Sequence, residues 1–230
     1  MTANVGTTSP TADWAQKYVP GGAVVGLGTG KAATAFIVAL GTRVQGGLQV
    51  RGVATSQASA EVAKAFQIPL VDLDDVESID VTVDGADEVD PQGNLIKGYG
   101  GALVCEKIVA AASKRLVIMV GEEKLVPVLG SRGKLPVEVV PFGMAATARK
   151  LAALGLSPQP RIKDGQPLVT DNDNHILDCG TGPIDQPEEL EARIRAIPGV
   201  VGTGLFLGMA DVVLVQRGEQ VEVRQWPRSR

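Results

Sequence analysis

Apolar positions follow two rhythms along this chain. In the first, short unbroken apolar runs alternate with longer stretches of helical spacing. Residues 23–27 (AVVGL) read as a buried strand, a Gly-rich turn follows at 28–30, and residues 31–40 (KAATAFIVAL) read as a helix. The run at 48–54 predicts a second strand, after which Thr55 and Ser56 offer hydroxyl caps to a helix over 57–66. A short strand is predicted over 69–73. Ile79, Val81 and Val83 alternate with Asp80, Thr82 and Asp84, which predicts a strand exposed on one face and ending at an acidic turn. A helix over 102–114 and a strand over 116–120 complete the series. Strands alternating with helices of this length imply βαβ units and a parallel sheet covered on both sides, an α/β fold.

Beyond about Lys134 the second rhythm begins. It predicts a strand over 137–140, a helix over 144–154 stopped by Gly155, and a strand over 159–162 whose hairpin turn is signalled by Asp164-Gly165. Strands over 168–170 and 176–179 precede a helix that opens at Pro187 and runs to Ala196, and a last strand covers 200–207. Strand, helix, two or more strands, helix, strand is the ferredoxin-like arrangement. Two further strands, 211–215 and 221–224, are placed to rejoin the first sheet.

Composition narrows the chemistry. The 230 residues are 44% hydrophobic and 21% charged, a globular balance, and with only 3% aromatic residues the core must be aliphatic. The single histidine, His175, and the two cysteines, Cys105 and Cys179, leave a His/Cys zinc site short of ligands and a Ser-His-Asp mechanism with one candidate imidazole. Proton chemistry therefore falls to carboxylates and lysines, and no metal is expected. A net charge of -4 argues against nucleic acid or an anionic membrane as partner, while a small anionic substrate in a locally basic pocket remains open. Residues 1–22 hold no apolar signal-like stretch and no run approaches a membrane span, so a soluble, cytoplasmic protein is expected.

Three segments can carry chemistry. Gly26-Leu27-Gly28-Thr29-Gly30-Lys31 lies between a strand and a helix, where free N–H groups and the helix dipole suit a phosphate. It is no Walker A loop, because Val25 and Ala32 stand where that loop needs Gly and Ser or Thr. It is no dinucleotide fingerprint either, because Lys31 replaces the third glycine. A tight βα turn without ligand is the alternative. The second segment, Asp84-Gly85-Ala86-Asp87-Glu88-Val89-Asp90, puts carboxylates at the end of a strand, where they can bind sugar hydroxyls, relay protons, hold a divalent cation, or form a solvated turn. The third, Lys97-Gly98-Tyr99-Gly100-Gly101 followed by residues 102–112, leads into a helix apolar all round except for Glu106 and Lys107. Such a helix is normally buried, which places Glu106 at a narrow opening with its pKa raised toward a general-base value; a solvent-facing strip is the alternative. Lys124 can reach the same crevice. Asp171-Asn172-Asp173-Asn174 begins like a calcium loop but lacks its glycine and later Glu, which favours a plain turn. Cys105 reads as packing.

Taken in order, the GLGTG at 26–30, the DGADEVD at 84–90 and the Lys-Gly-x-Gly-Gly-Ala-Leu-x-x-Glu-Lys at 97–107 resemble the ribose-5-phosphate isomerase family of type A. The likeness continues through Lys124, the LPVEVVP at 135–141, IPGVV at 197–201 and Gly204-Leu205-Phe206. It implies a Rossmann-like domain over 1–133 and 208–230, interrupted by a ferredoxin-like α+β domain over 134–207. It also implies interconversion of D-ribose 5-phosphate and D-ribulose 5-phosphate without a cofactor, in a homodimer or homotetramer. The resemblance makes Glu106 the catalytic base. Thr29, Gly30, Lys31, Ala32, Asp84, Gly85, Ala86, Asp87, Lys97, Gly98, Tyr99, Gly100 and Lys124 become substrate contacts. In the first loop the family usually reads Thr-Gly-Ser-Thr, whereas this chain has Thr29-Gly30-Lys31-Ala32 and so lacks two hydroxyls. The implied route is a cis-enediolate: Glu106 moves one proton, Lys97 stabilises developing negative charge, and Asp84 and Asp87 hold hydroxyls and relay the oxygen-bound proton. A non-catalytic sugar-phosphate sensor and a coenzyme A transferase are the competing readings, and turnover of ribose 5-phosphate separates all three.

Overall fold

The computed structural model describes residues 9–226. A short helix α1 (Pro10–Ala15) precedes strand β1 (Val24–Leu27), helix α2 (Lys31–Gln45), β2 (Arg51–Ala54) and α3 (Gln57–Ala65). Next come β3 (Val81–Gly85), two short strands β4 (Glu88–Val89) and β5 (Leu95–Ile96), α4 (Leu103–Ala111) and β6 (Leu116–Gly121). The second half holds β7 (Lys134–Val139), α5 (Met144–Ala152), β8 (Ser157–Pro160), β9 (Ile162–Lys163), β10 (Gln166–Pro167), β11 (His175–Gly180), α6 (Pro187–Arg195) and β12 (Val200–Thr203). Strands β13 (Leu205–Phe206), β14 (Val212–Arg217) and β15 (Gln220–Gln225) close the chain.

The large sheet has the order β15-β14-β6-β3-β1-β2. Its strands β2, β1, β3, β6 and β14 run parallel, and β15 folds back antiparallel on β14. The chain moves outward from β1 to β2 and then crosses to the other side of β1 at β3. That reversal opens a crevice outside the carboxyl ends of β1 and β3, where ligands bind in open α/β sheets. Both faces are covered. Val25, Leu27, Val81 and Val83 pack against Phe36, Ile37 and Leu40 of α2, while Val24, Val53 and Ile79 meet Val109 of α4 on the other face.

This double cover corrects the expectation for residues 79–84. Thr82 and Asp84 do not face solvent; they are 0% and 1% exposed, because β3 is a central strand and α4 lies over its polar positions. Thr82 is satisfied there by a 2.5 Å hydrogen bond with the Ser113 hydroxyl.

The smaller sheet has the order β12-β7-β11-β8, antiparallel throughout, with α5 between β7 and β8 and α6 between β11 and β12. This is the ferredoxin-like order, and Leu151 of α5 and Ile194 of α6 bury against Leu135, Val137, Val139 and Leu177. The hairpin turn falls at Asp164 and Gly165, both with positive φ, between β9 and β10. Three further expectations change. Residues 69–73 make a single bridge, Leu70 to Gly52, rather than a strand. Residues 168–170 run into a turn after β10 has ended at Pro167. The run 200–207 divides at Gly204 into β12 and β13, which belong to different sheets. A Cβ at Gly204 would come 2.3 Å from the Lys97 carbonyl oxygen, so only glycine lets the strands cross there. Strand β13 then pairs with β5, the element that carries the chain into Lys97.

Candidate active site

The crevice is built from the three chemical segments. At the end of β1, Gly28 lies flat on Asp84: a Cβ there would sit 2.2 Å from the Asp84 carboxyl carbon. Gly30 takes φ 100°, a left-handed conformation that favours glycine, and turns the chain into α2. The first turn of α2 has no side-chain cap, so its N–H groups and the positive end of its dipole face the crevice. Beneath them the Thr29 hydroxyl meets those of Thr55 at 2.7 Å, Ser56 at 2.8 Å and Ser59 at 3.2 Å. Ser59 in turn donates to the Gly28 carbonyl at 2.6 Å, which fixes the loop from below.

Asp84 and Lys97 form the centre. Asp84 Oδ1 accepts the N–H of Gly85 at 2.7 Å and of Thr29 at 3.1 Å, and its Oδ2 lies 3.0 Å from Lys97 Nζ. Lys97 Nζ also donates to the Gly85 carbonyl at 2.6 Å and stands 3.3 Å from Glu106 Oε2. Lys97 and Glu106 are each 3% exposed. Burial alone would drive the Lys97 ammonium toward neutrality, but the charges of Asp84 and Glu106 outweigh it and hold the amine protonated, its pKa raised. Burial pushes the Glu106 carboxyl up to about 8, with Asp84 acting in the same direction and Lys97 opposing. At 3.3 Å the Lys97–Glu106 contact is an ion pair without hydrogen-bond geometry, so Glu106 Oε2 is a buried oxygen with no hydrogen-bond partner. A buried oxygen without a hydrogen bond is costly, and this one opens on the same crevice as Lys97 and Asp84.

Asp87 completes the acidic side. Its Oδ2 accepts the Tyr99 N–H at 3.0 Å, and burial raises its pKa against the fields of Lys97, Lys124 and Arg161. Gly100 approaches Thr29, and Gly85 approaches Ala32, so the three segments converge as expected from their order in the chain. Ala86 and Lys124 are half-buried at the rim, and Lys31 is exposed on the first turn of α2. The Tyr99 ring lies under Lys134 and its hydroxyl donates to the Lys134 carbonyl at 3.2 Å; burial lifts that phenol to about 12.

Two groups of the site carry no signal of their own in the sequence. Arg161, from the smaller sheet, donates through Nη1 to the carbonyls of Gly98 at 2.8 Å and Tyr99 at 3.1 Å, while its other nitrogens grip Asp178 at 2.5 and 3.0 Å. It thereby sets the glycine-rich turn. Ser59, in the first turn of α3, has nothing in its sequence setting to separate it from an ordinary helix residue. His175 lies outside the cluster, its Nδ1 2.9 Å from the Leu168 carbonyl oxygen, and Cys105 is half-buried with its thiol pKa raised by burial. Glu106 is not part of a solvent-facing strip: beside it Lys107 pairs with Glu191, and the exposed residues of α4 are Ile108 and Ala111. Among the described residues no group of three or more His, Cys, Asp and Glu is gathered as a metal site, and no helix is long and apolar enough to cross a membrane.

Comparison with known proteins identifies the family. Residues 51–220 match the sequence profile of ribose 5-phosphate isomerase A (phosphoriboisomerase A). The ribose-5-phosphate isomerase A of Gloeobacter violaceus is 52% identical over 210 residues, covering 91% of each chain, and that of Roseiflexus sp. is 47% identical over 222 residues, covering 95% of each. Among solved structures, ribose 5-phosphate isomerase A from Methanocaldococcus jannaschii superposes with a TM-score of 0.90 at 39% identity, covering 94% of this chain and 97% of that one. A D-ribose-5-phosphate isomerase in complex with phospho-erythronic acid superposes with a TM-score of 0.91 at 37% identity, covering 94% and 96%. With a doubly wound sheet, a ferredoxin-like partner sheet and these relatives along nearly its whole length, the chain belongs to the ribose 5-phosphate isomerase A family.

Proposed function

We propose that this protein interconverts D-ribose 5-phosphate and D-ribulose 5-phosphate through a cis-enediolate, with Glu106 as the single base. The observation that carries the reading is the buried Glu106 Oε2, held by no hydrogen bond and 3.3 Å from the protonated Lys97 ammonium. Moving a carbonyl between C1 and C2 requires removal of a proton beside the carbonyl, its delivery to the neighbouring carbon, and stabilisation of the charge between. Glu106 removes the proton from C2 of the aldose and returns it to C1 on the same face. The charge that develops on the oxygens meets Lys97, already desolvated and in place, and fixed electrostatics of this kind usually lower a barrier more than any other single effect.

The two aspartates divide their labour. Asp84 has both oxygens engaged, by Lys97 and by two backbone N–H groups, so it holds the lysine and the phosphate loop in register. Asp87, whose proton affinity is raised, relays the oxygen-bound proton. The phosphate sits on the uncapped first turn of α2, over residues 29–32. Lys31 replaces the missing hydroxyls with charge, and Lys124 closes the far side. Since the phosphate is remote from the bond changes, its binding energy positions the sugar. The relative bound to phospho-erythronic acid supports a phosphorylated sugar as the ligand class.

In this reading residues 1–133 and 208–230 form the catalytic unit, and the inserted unit over 134–207 contributes Arg161. Exposed Phe142, Ile162 and Val169 support assembly as a homodimer or homotetramer, and a cytoplasmic setting fits such an enzyme. Turnover of ribose 5-phosphate by the purified protein, followed by the appearance of ribulose 5-phosphate, tests the function. Absence of turnover under conditions where a relative is active refutes it.

A further inference from the structure

The turn over residues 170–174 is held by a carboxylate that the chemistry above does not use. Glu138, on β7, is 0% exposed, and its Oε1 accepts hydrogen bonds from the Thr170 hydroxyl at 3.1 Å and from the side-chain amides of Asn172 at 3.2 Å and Asn174 at 3.0 Å. Anchored in this way, the turn reaches both walls of the crevice. Asp171 Oδ2 accepts the N–H of Gln57, the first residue of α3, at 2.8 Å. Asn172 Oδ1 accepts from the Cys105 thiol, next to Glu106 on α4, at 3.3 Å. The first turn of α3 is what presents Ser56 and Ser59 to Thr29.

We propose that Asp171 is a positioning residue for the sugar phosphate: carried on a turn that the buried Glu138 holds through Thr170, Asn172 and Asn174, it fixes the start of α3 and, through Ser56 and Ser59, the Thr29 loop on which the phosphate rests. The inference rests on the isomerase reading of the site. The N–H groups in the first turn of a helix lack partners within it, so an external acceptor there decides how firmly that turn is held. A loop released by even a fraction of an ångström no longer meets the phosphate in a productive geometry. Asn172, gripping α4 from the same turn, sets the spacing between the phosphate loop and the helix that carries the base.

Removing Glu138 would take away the shared acceptor of Thr170, Asn172 and Asn174 and loosen the whole turn, so the decisive variant is Asp171→Ala at its exposed tip. Kinetics on ribose 5-phosphate and hydrogen exchange of the peptide spanning the start of α3 are measured on the full chain for the parent, Asp171→Ala and Asp171→Asn. The loss of one helix-terminal acceptor corresponds to about a fivefold rise in KM with kcat within about twofold, together with faster exchange at the start of α3. Asp171→Asn keeps an acceptor oxygen and restores both. A parent-like KM in Asp171→Ala, or a raised KM that Asp171→Asn does not restore, overturns the proposal. If the parent itself fails to turn over ribose 5-phosphate, the isomerase reading falls and the positioning role with it. The exchange data then still show whether the turn holds α3.

Discussion

Replacing Glu106 by Gln keeps the volume and burial of the side chain and removes only its ability to ionise. Loss of a positioned general base costs roughly 10² to 10⁴ in rate. At 1.36 kcal/mol for each tenfold, that is about 3 to 5 kcal/mol of transition-state stabilisation. The structure adds a pH signature. With the carboxyl near 8, only about a tenth of the parent holds the basic form at pH 7, so kcat/KM should climb close to tenfold per pH unit up to about 8 and then level. Stability should run the opposite way. The group titrates near its ordinary 4.5 in the unfolded chain and near 8 in the folded one, so the folded state holds the proton more tightly. The stabilisation from that bound proton is complete below about 4.5 and is lost as pH rises through about 8. Glu106→Gln cannot lose it, so the variant should melt above the parent at pH 9 and converge with it at acid pH. Steady-state kinetics from pH 6 to 9.5 and thermal melts at both extremes supply the test. A variant within tenfold of the parent rate, or a parent profile flat across pH 8, refutes the reasoning.

Other residues of the site make separate predictions. Lys97→Met strands the buried Asp84 carboxylate and should destabilise the fold by about 3–5 kcal/mol in urea titrations, besides abolishing turnover; parent-like stability would show that the pairing has been overvalued. Gly28→Ala drives a methyl group into the pinned Asp84 carboxylate, so a loss of about 1–3 kcal/mol and of most activity is expected, read by the same two assays. Arg161→Ala frees the Gly98 and Tyr99 carbonyls and should raise KM severalfold. Arg161→Lys should fail to restore it, since an ammonium cannot grip Asp178 and the two carbonyls at once. Chelator treatment should leave turnover unchanged, because Lys97 already occupies the acidic centre with positive charge; activity lost and then restored by magnesium would give Asp84 and Asp87 a metal role.

The burial of Glu106 is legible in the sequence for a reason that generalises. A helix apolar all round with one Glu–Lys pair leaves the glutamate little choice but to face a crevice or the core, and Glu106 does so. The same logic fails at Thr82 and Asp84, because alternation reports polarity and not solvent: a polar position can be buried on a partner such as Ser113 or Lys97 that lies far away in sequence. Arg161 is invisible for a related reason. Its partners at Gly98 and Tyr99 are backbone carbonyls, which carry no signal in residue type, more than 60 positions away. The run at 200–207 looks like one strand because its apolar residues are continuous, while the division at Gly204 depends on the close approach of Lys97. Convergence of the segments at 28–30 and 84–87, by contrast, follows from their positions after the adjacent parallel strands β1 and β3, while the glycine turn at 98–101 is delivered by the antiparallel pairing of β5 with β4 and β13.

The pairing of β14 with β6 also governs the order in which the protein can be made. Leu116 and Asp211, bonded where these strands begin, stand 95 positions apart, and the whole ferredoxin-like sheet is synthesised between them. A nascent chain that has released β6 from the ribosome therefore displays Leu116, Val117, Ile118, Met119 and Val120, all buried in the finished fold, along an unprotected edge. The compact inserted sheet can form on local contacts meanwhile, but the catalytic sheet must wait for the last strands. Such an apolar edge invites pairing with other chains, and it is β14, itself shielded by β15, that removes the hazard.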